Sequence, residues 1–109
     1  MRLLLDENLP KRLKLDFPEY EIFTVNDMDW TGIKNGELLQ LMMDNSFDAL
    51  LTYDKNLQYQ QNFTKYTITV SVLTAITNQY IHLTQLTQRI KSYLLNQPMP
   101  KGIIIISEK

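Results

Sequence analysis

The chain has 109 residues, of which 44% are hydrophobic and 21% charged, with no cysteine and a formal net charge of −1. This length suits a single domain over residues 1–109 with one core, the composition is globular and not disordered, and the lack of cysteine excludes disulfides and thiolate metal sites. The near-neutral total hides an asymmetry: residues 1–54 hold eleven acids against five bases, and residues 55–109 hold six bases against one acid, a pattern that fits either an acidic site beside a basic rim or charges that solvate different faces.

Leu3, Leu4 and Leu5 run into Asp6 and Glu7, which predicts a short buried strand ending in acids. The early charge also argues against a signal segment. Asn8 can cap a short helix over residues 11–17, with Pro10 in its first turn and Pro18 at its end. Residues 20–25 alternate as a second strand. Residues 26–36 read as a loop closed by Asn35-Gly36. A helix over 37–45 follows, with Leu38, Leu41 and Met42 on one face and Glu37 in the first turn, where the helix dipole favours an anion.

Residues 47–56, FDALLTYDKN, are the organising stretch: Ala49-Leu50-Leu51 gives way to Thr52-Tyr53-Asp54, the pattern of a buried central strand that delivers an aspartate at its carboxyl end. Residues 56–63 form a polar helix or structured loop, and residues 66–73 a β-branched fourth strand. The longest helix is expected over 78–96, on a stripe of Leu83, Leu86, Ile90 and Tyr93 or Leu94. Pro98 and Pro100 forbid further helix, and four isoleucines at 103–106 make the last strand, a run far too short to span a bilayer. Strands alternating with helices across short connections predict an α/β fold, a small three-layer α/β/α domain with a mostly parallel central sheet. The expectation is a soluble, cytoplasmic protein with no membrane partner.

Asp6, Glu37 and Asp54 are the candidate site. Three carboxylates at one sheet edge repel one another unless a cation neutralises them, and an all-oxygen set suits Mg²⁺ or Mn²⁺. Such an ion permits phosphodiester hydrolysis without a catalytic histidine, and the only histidine is His82, at the margin of the long helix's apolar stripe. The same acids have plainer roles open to them: Asp54 as a helix cap, Glu37 as a partner of the helix dipole. Glu7 points to the opposite strand face from Asp6 unless the strand has ended. Asp27 and Asp29 lie in the loop before the helix, either solvated or able to approach the site. Lys55, Lys65, Arg89, Lys91 and Lys101 are candidate phosphate contacts, with Lys55 and Lys11 the substrate-binding choices. Trp30, Tyr53 and Tyr59 either stack on bases or pack the core.

The strings RLLLDENLP, WTGIKNGELLQL and FDALLTYDKNLQYQQN resemble the small PIN-like proteins grouped as domain of unknown function 5615 (DUF5615), relatives of the VapC-type toxin nucleases. The resemblance covers about the first 75 residues. It implies a PIN-like α/β/α fold and a Mg²⁺-dependent ribonuclease acting as the toxin of a toxin–antitoxin pair, with an RNA substrate, a cognate antitoxin and, by analogy, a homodimer. By motif position Asp6 matches the first PIN aspartate, Glu37 the helical glutamate and Asp54 the third acid, with Thr52 the hydroxyl residue two before it. One departure stands out: PIN nucleases usually add a fourth acid near the end of the fourth strand, and this chain has no Asp or Glu between Lys55 and Ser107. Ser71, Thr74, Thr77 and Asn78 are the polar residues there, while Glu7, Asp27, Asp29, Thr52 and Asn56 are the accessory candidates. Two alternatives remain open: a catalytically degenerate RNA- or protein-binding module of the same fold, and a phosphoacceptor receiver domain built on Asp6, Glu7 and Asp54. The second lacks a lysine at the end of its last strand, since Lys101 precedes that strand.

Overall fold

The computed structural model describes residues 1–57, 65–96 and 101–107. Five strands, β1 (Arg2–Leu5), β2 (Glu21–Thr24), β3 (Ala49–Thr52), β4 (Thr69–Leu73) and β5 (Gly102–Ile106), form one sheet in the order β2-β1-β3-β4-β5. Every neighbouring pair is parallel, with Leu5 opposite both Thr24 and Leu51. Parallel neighbours need a crossover, and the intervening segments supply it. A 3-10 helix (Lys11–Asp16) follows β1, and α1 (Asn35–Asp44) follows β2. Between β4 and β5 lie α2 (Tyr80–Leu83), a 3-10 turn (Thr84–Leu86) and α3 (Thr87–Leu95).

The two-residue period of the strands divides the core into two layers. Leu3, Leu5, Ala49 and Leu51 point to one face, where Leu13 of the first 3-10 helix and Leu83, Leu86, Ile90 and Leu94 cover them. Leu4, Leu50, Val70 and Val72 point to the other, against Leu38, Leu39 and Met42 of α1. The result is the three-layer α/β/α arrangement that the sequence pattern predicts. β1 and β3 are central, so Leu3 to Leu5 and Ala49 to Leu51 are wholly buried, each leucine contributing ~1.5–3 kcal/mol by leaving water.

Several boundaries differ from those expected. Asn35 and Gly36 lie inside the first turn of α1, which begins after extended Lys34 with no side-chain cap. The chain leaves α1 through Ser46 in the left-handed region (φ 61°), turning directly into β3. The single helix expected over 78–96 is broken by the tighter 3-10 turn, and its stripe is completed by Leu94, with Tyr93 exposed. The segment expected over 56–63 lies mostly outside the described residues, as does Tyr59.

Candidate functional site at the carboxyl ends of β1 and β3

In a sheet of this order the chain moves from β1 to β2 on one side and then crosses to β3 on the other. The connections diverge above β1 and β3, and a crevice opens at their carboxyl ends. Asp6 is the first residue past β1, with its backbone N–H still bonded to the Leu51 carbonyl at 2.9 Å. The ladder therefore holds Asp6 as rigidly as a strand residue, and it is 7% exposed. Its Oδ2 accepts from the Thr52 hydroxyl at 2.7 Å and its Oδ1 from the Glu7 N–H at 2.9 Å.

Thr52, the last residue of β3, is fully buried. Its Oγ1 donates to Asp6 and accepts from the Asp54 N–H at 3.0 Å and, more weakly, from Asn8 Nδ2 at 3.5 Å. One donor and two acceptor positions exhaust a hydroxyl's capacity, so Thr52 is a fixed link between the two aspartates. Asp54 is half-buried. Its Oδ1 accepts the Asn56 N–H at 2.9 Å, and its Oδ2 accepts Asn35 Nδ2 at 3.4 Å from the start of α1.

Burial pushes the Asp6 carboxyl above its ordinary value. The bonds from Thr52 and the Glu7 N–H pull it back in part, and the negative charges of Glu7 and Asp54 push it up again. An ionised carboxylate keeps about four lone-pair positions, of which Asp6 has two filled, so each oxygen can still take a ligand. The donor chemistry fits a hard divalent cation, because Mg²⁺ binds through one or two carboxylates and completes its shell with water and substrate phosphate.

The other candidates divide clearly. Glu37 sits exposed in the first turn of α1, with no hydrogen bond or ion pair to Asp6 or Asp54. Among the described residues no group of three His, Cys, Asp or Glu side chains is disposed to hold a metal. Glu7 is exposed beside the pair, its Oε2 accepting from the Gly32 N–H at 3.4 Å. Asp27 is engaged elsewhere: Lys14 Nζ at 2.8 Å and the Thr24 N–H at 2.9 Å hold its carboxyl down at about 2. Asp29 is exposed with φ 62°. Asn56 contributes its backbone to Asp54, while Lys55 is exposed with its Nζ 5.7 Å from the Tyr53 ring. Lys11 borders the crevice beside Asp6. Trp30 packs edge-on against Phe47 and the Tyr53 hydroxyl donates to the Ala75 carbonyl, so both are structural. His82 Nδ1 meets the Thr77 hydroxyl.

Of the polar residues after β3, Ser71 is buried within β4 and Thr74 bonds the Ile106 carbonyl. Asn78 reaches the site region, donating to the Asn8 carbonyl at 3.0 Å. Asn8 is the residue that sequence reasoning misassigned. Read as a helix cap, it instead turns inward, its Oδ1 accepting the Tyr53 N–H at 3.1 Å. It thereby ties the loop after β1 to the loop after β3, and the 3-10 helix starts at Lys11, after extended Pro10, with no side-chain cap. The only signal available was its place two residues past a candidate acid.

Comparison of the chain with protein-family models, curated proteins and solved structures gave no significant match in any of the three. The candidate site therefore rests on its own geometry. No described helix is long and apolar enough to cross a membrane.

Proposed function

We propose that the protein is a Mg²⁺- or Mn²⁺-dependent endoribonuclease of the PIN-like class, acting as the toxin of a toxin–antitoxin pair, with Asp6 and Asp54 as its essential acids. The observation that carries this reading is the Thr52-linked aspartate pair at the strand switch point, with Asp6 buried beside the charges of Glu7 and Asp54. The resemblance of residues 1–75 to DUF5615 proteins supplies the reaction class. Asp6 and Asp54 would hold the ion, with Glu7 beside them; when bound, it supplies Lewis-acid polarisation of a phosphoryl group and a more acidic water. The chain's own residues do the positioning. Thr52 fixes the Asp6 carboxylate, Asn56 and Asn35 fix that of Asp54, and Asn8 keeps the two loops in register.

The test is cleavage of labelled RNA by purified protein in Mg²⁺, Mn²⁺ or EDTA, beside the double variant Asp6→Asn, Asp54→Asn. The expected result is metal-dependent cutting that falls more than about a hundredfold in the variant, beyond the ~10–100-fold typical of losing an outer-shell partner. RNA left intact with both metals, together with harmless expression in cells, sinks the reading. A second reading, a non-catalytic binding module, is favoured by the lack, among the described residues, of a third His, Cys, Asp or Glu disposed to hold a metal with the pair, and RNA binding that survives Asp54→Asn without cleavage would establish it. The strand order is shared with phosphoacceptor receivers, but Lys101 precedes β5 and so stands at the opposite end of the sheet from the pair. A mass gain of one phosphoryl group from a small phosphodonor would reinstate that option.

A further inference from the structure

The two edges of the sheet are finished differently. A strand in a parallel pair turns the N–H and C=O of alternate residues towards its neighbour and those of the others away. On β2 the Glu21 and Val25 N–H groups bond the Met1 and Leu5 carbonyls, so Ile22 and Thr24 face outward. That edge is blunted: the Thr24 N–H is taken by the Asp27 carboxylate at 2.9 Å, and Lys14 closes on Asp27 at 2.8 Å. On β5 the Gly102 N–H bonds the Ile68 carbonyl and the Ile106 carbonyl accepts the Thr74 N–H, so Ile103 and Ile105 face outward. Among the described residues nothing meets their outward N–H and C=O groups. β5 carries no charge and no proline, and Ile105 is 47% exposed.

Beside this edge a cavity of about 350 Å³ lies between α3 and β5. Arg89, Ser92, Tyr93 and Asn96, which share one helix face, line it together with Ile105 and Ser107. Residues 87–107 hold Arg89, Lys91 and Lys101 and no acid. Lys91 is paired with Glu19 at 3.1 Å, so Arg89 and Lys101 set the sign of this face. We infer that the outer edge of β5 takes up an extended acidic segment of a partner protein as a sixth strand. In strand addition of this kind the main chain supplies the ladder and alternate side chains supply the selection. Ile104 and Ile106 point to the α3 layer and Ile103 to the α1 layer. An added strand therefore lays every second side chain over the Arg89 cavity and the others beside Ile103 and Ile105. Carboxylates suit the first set, and apolar side chains the second. A second copy of β5 would bring only the same bases to the cavity, and a nucleic-acid strand has no amide ladder to answer the edge. β5 lies two strands from β3, so this surface does not depend on the chemistry of the acid pair.

The experiment is an amide nitrogen–proton NMR titration of the whole chain with the peptide EVEVEVEV, taken to about 1 mM to reach weak complexes. The peptides EEEEVVVV, of equal composition without alternation, and KVKVKVKV, of opposite charge, run beside it. EVEVEVEV should shift the amides of β5 and of residues 89–96 and leave those of β2 in place. Each of the other two peptides should bind at least about tenfold more weakly, the first for want of a matching ladder and the second through like-charge repulsion. Ile105→Pro deletes an outward N–H that no bond to β4 uses, a change that edge strands tolerate, and should weaken binding at least about tenfold. Arg89→Glu leaves β5 untouched and should weaken it by about threefold or more. No shift in β5, equal binding of EEEEVVVV or KVKVKVKV, or unchanged affinity in Arg89→Glu would each overturn the inference. A concentration-dependent dimer that protects the β5 amides would overturn it too, by giving the edge to a second copy.

Discussion

Two aspartates in this molecule collect hydroxyl donors, and their environments are opposite. Asp16, at the end of the first 3-10 helix, receives the Tyr80 and Thr84 hydroxyls at 2.6 Å each and that of Thr87 at 2.9 Å. Burial works to raise its pKa, but the three hydroxyls and the nearby Lys91 ammonium outweigh it and hold the carboxyl below its ordinary value. Asp6 has one hydroxyl and one backbone N–H, two negative neighbours, and a pKa raised by burial. Asp16 is a completed structural joint between the 3-10 helix and the α2–α3 segment. Asp6 has fewer donors and stands beside two like charges, so its surroundings do not offset burial as those of Asp16 do. A buried acid lacking compensation marks a functional candidate better than a count of acids at strand ends does.

The comparison breaks most visibly at Asp16. Replacing it by Ala leaves three hydroxyls without their acceptor, and Asp16→Ala should cost about 3 kcal/mol, allowing for non-additivity among charge-assisted bonds of ~1.5–3 each. Urea unfolding would show it, with a thermal midpoint lower by roughly 10 °C or more; an unchanged midpoint would mean that solvent serves those hydroxyls equally well. Asp6 should respond with the opposite sign. Its folded pKa is raised, so the native state binds the extra proton, and stability falls as pH rises through that pKa. Asp6→Asn should remove this decline and raise the melting temperature at neutral pH. Mg²⁺ at a hundredfold over its dissociation constant should stabilise the wild type by ~2.7 kcal/mol and leave Asp6→Asn unmoved. Equal stabilisation of both proteins would place the ion elsewhere. The smallest effect belongs to Asp27, an acid whose cation is already present. Its carboxyl titrates at about 2 against an ordinary 3.8, so its contribution is present above 3.8 and is lost as pH falls through about 2. Lys14→Ala should return its NMR titration midpoint towards the ordinary value while changing stability by at most ~0.5 kcal/mol, as for other exposed pairs.

The strands, and Asp6 and Asp54 just past the ends of β1 and β3, were legible because an apolar run that stops in polar residues fixes both a central strand and what stands at its end; the Thr52 hydroxyl that links the two acids was not. The misses come from partners distant in sequence. Asn8 has the composition of a cap, but its acceptor is used 45 residues away by the Tyr53 N–H. Asn35-Gly36 has the composition of a turn, yet Asn35 opens α1 and its side chain reaches Asp54. The helix expected over 78–96 tightens at Thr84–Leu86, where Thr84 and Thr87 turn to Asp16. No periodicity encodes an aspartate 68 residues upstream. Glu37 was correctly placed in a first helical turn, but helical position does not say which carboxylates share a metal site, and no third acid does so among the described residues.

The central position of β1 also has a consequence during synthesis. It is made before either strand that will flank it, so its three leucines and both of its hydrogen-bonding edges stay bare until β2 and then β3 have been translated. A segment of that kind invites pairing with other nascent chains. Asp6 and Glu7 follow it immediately, in the place where flanking charges suppress such pairing. The carboxylates that mark the candidate site thus also stand where charge works against pairing of β1 with its copies before the sheet closes around it.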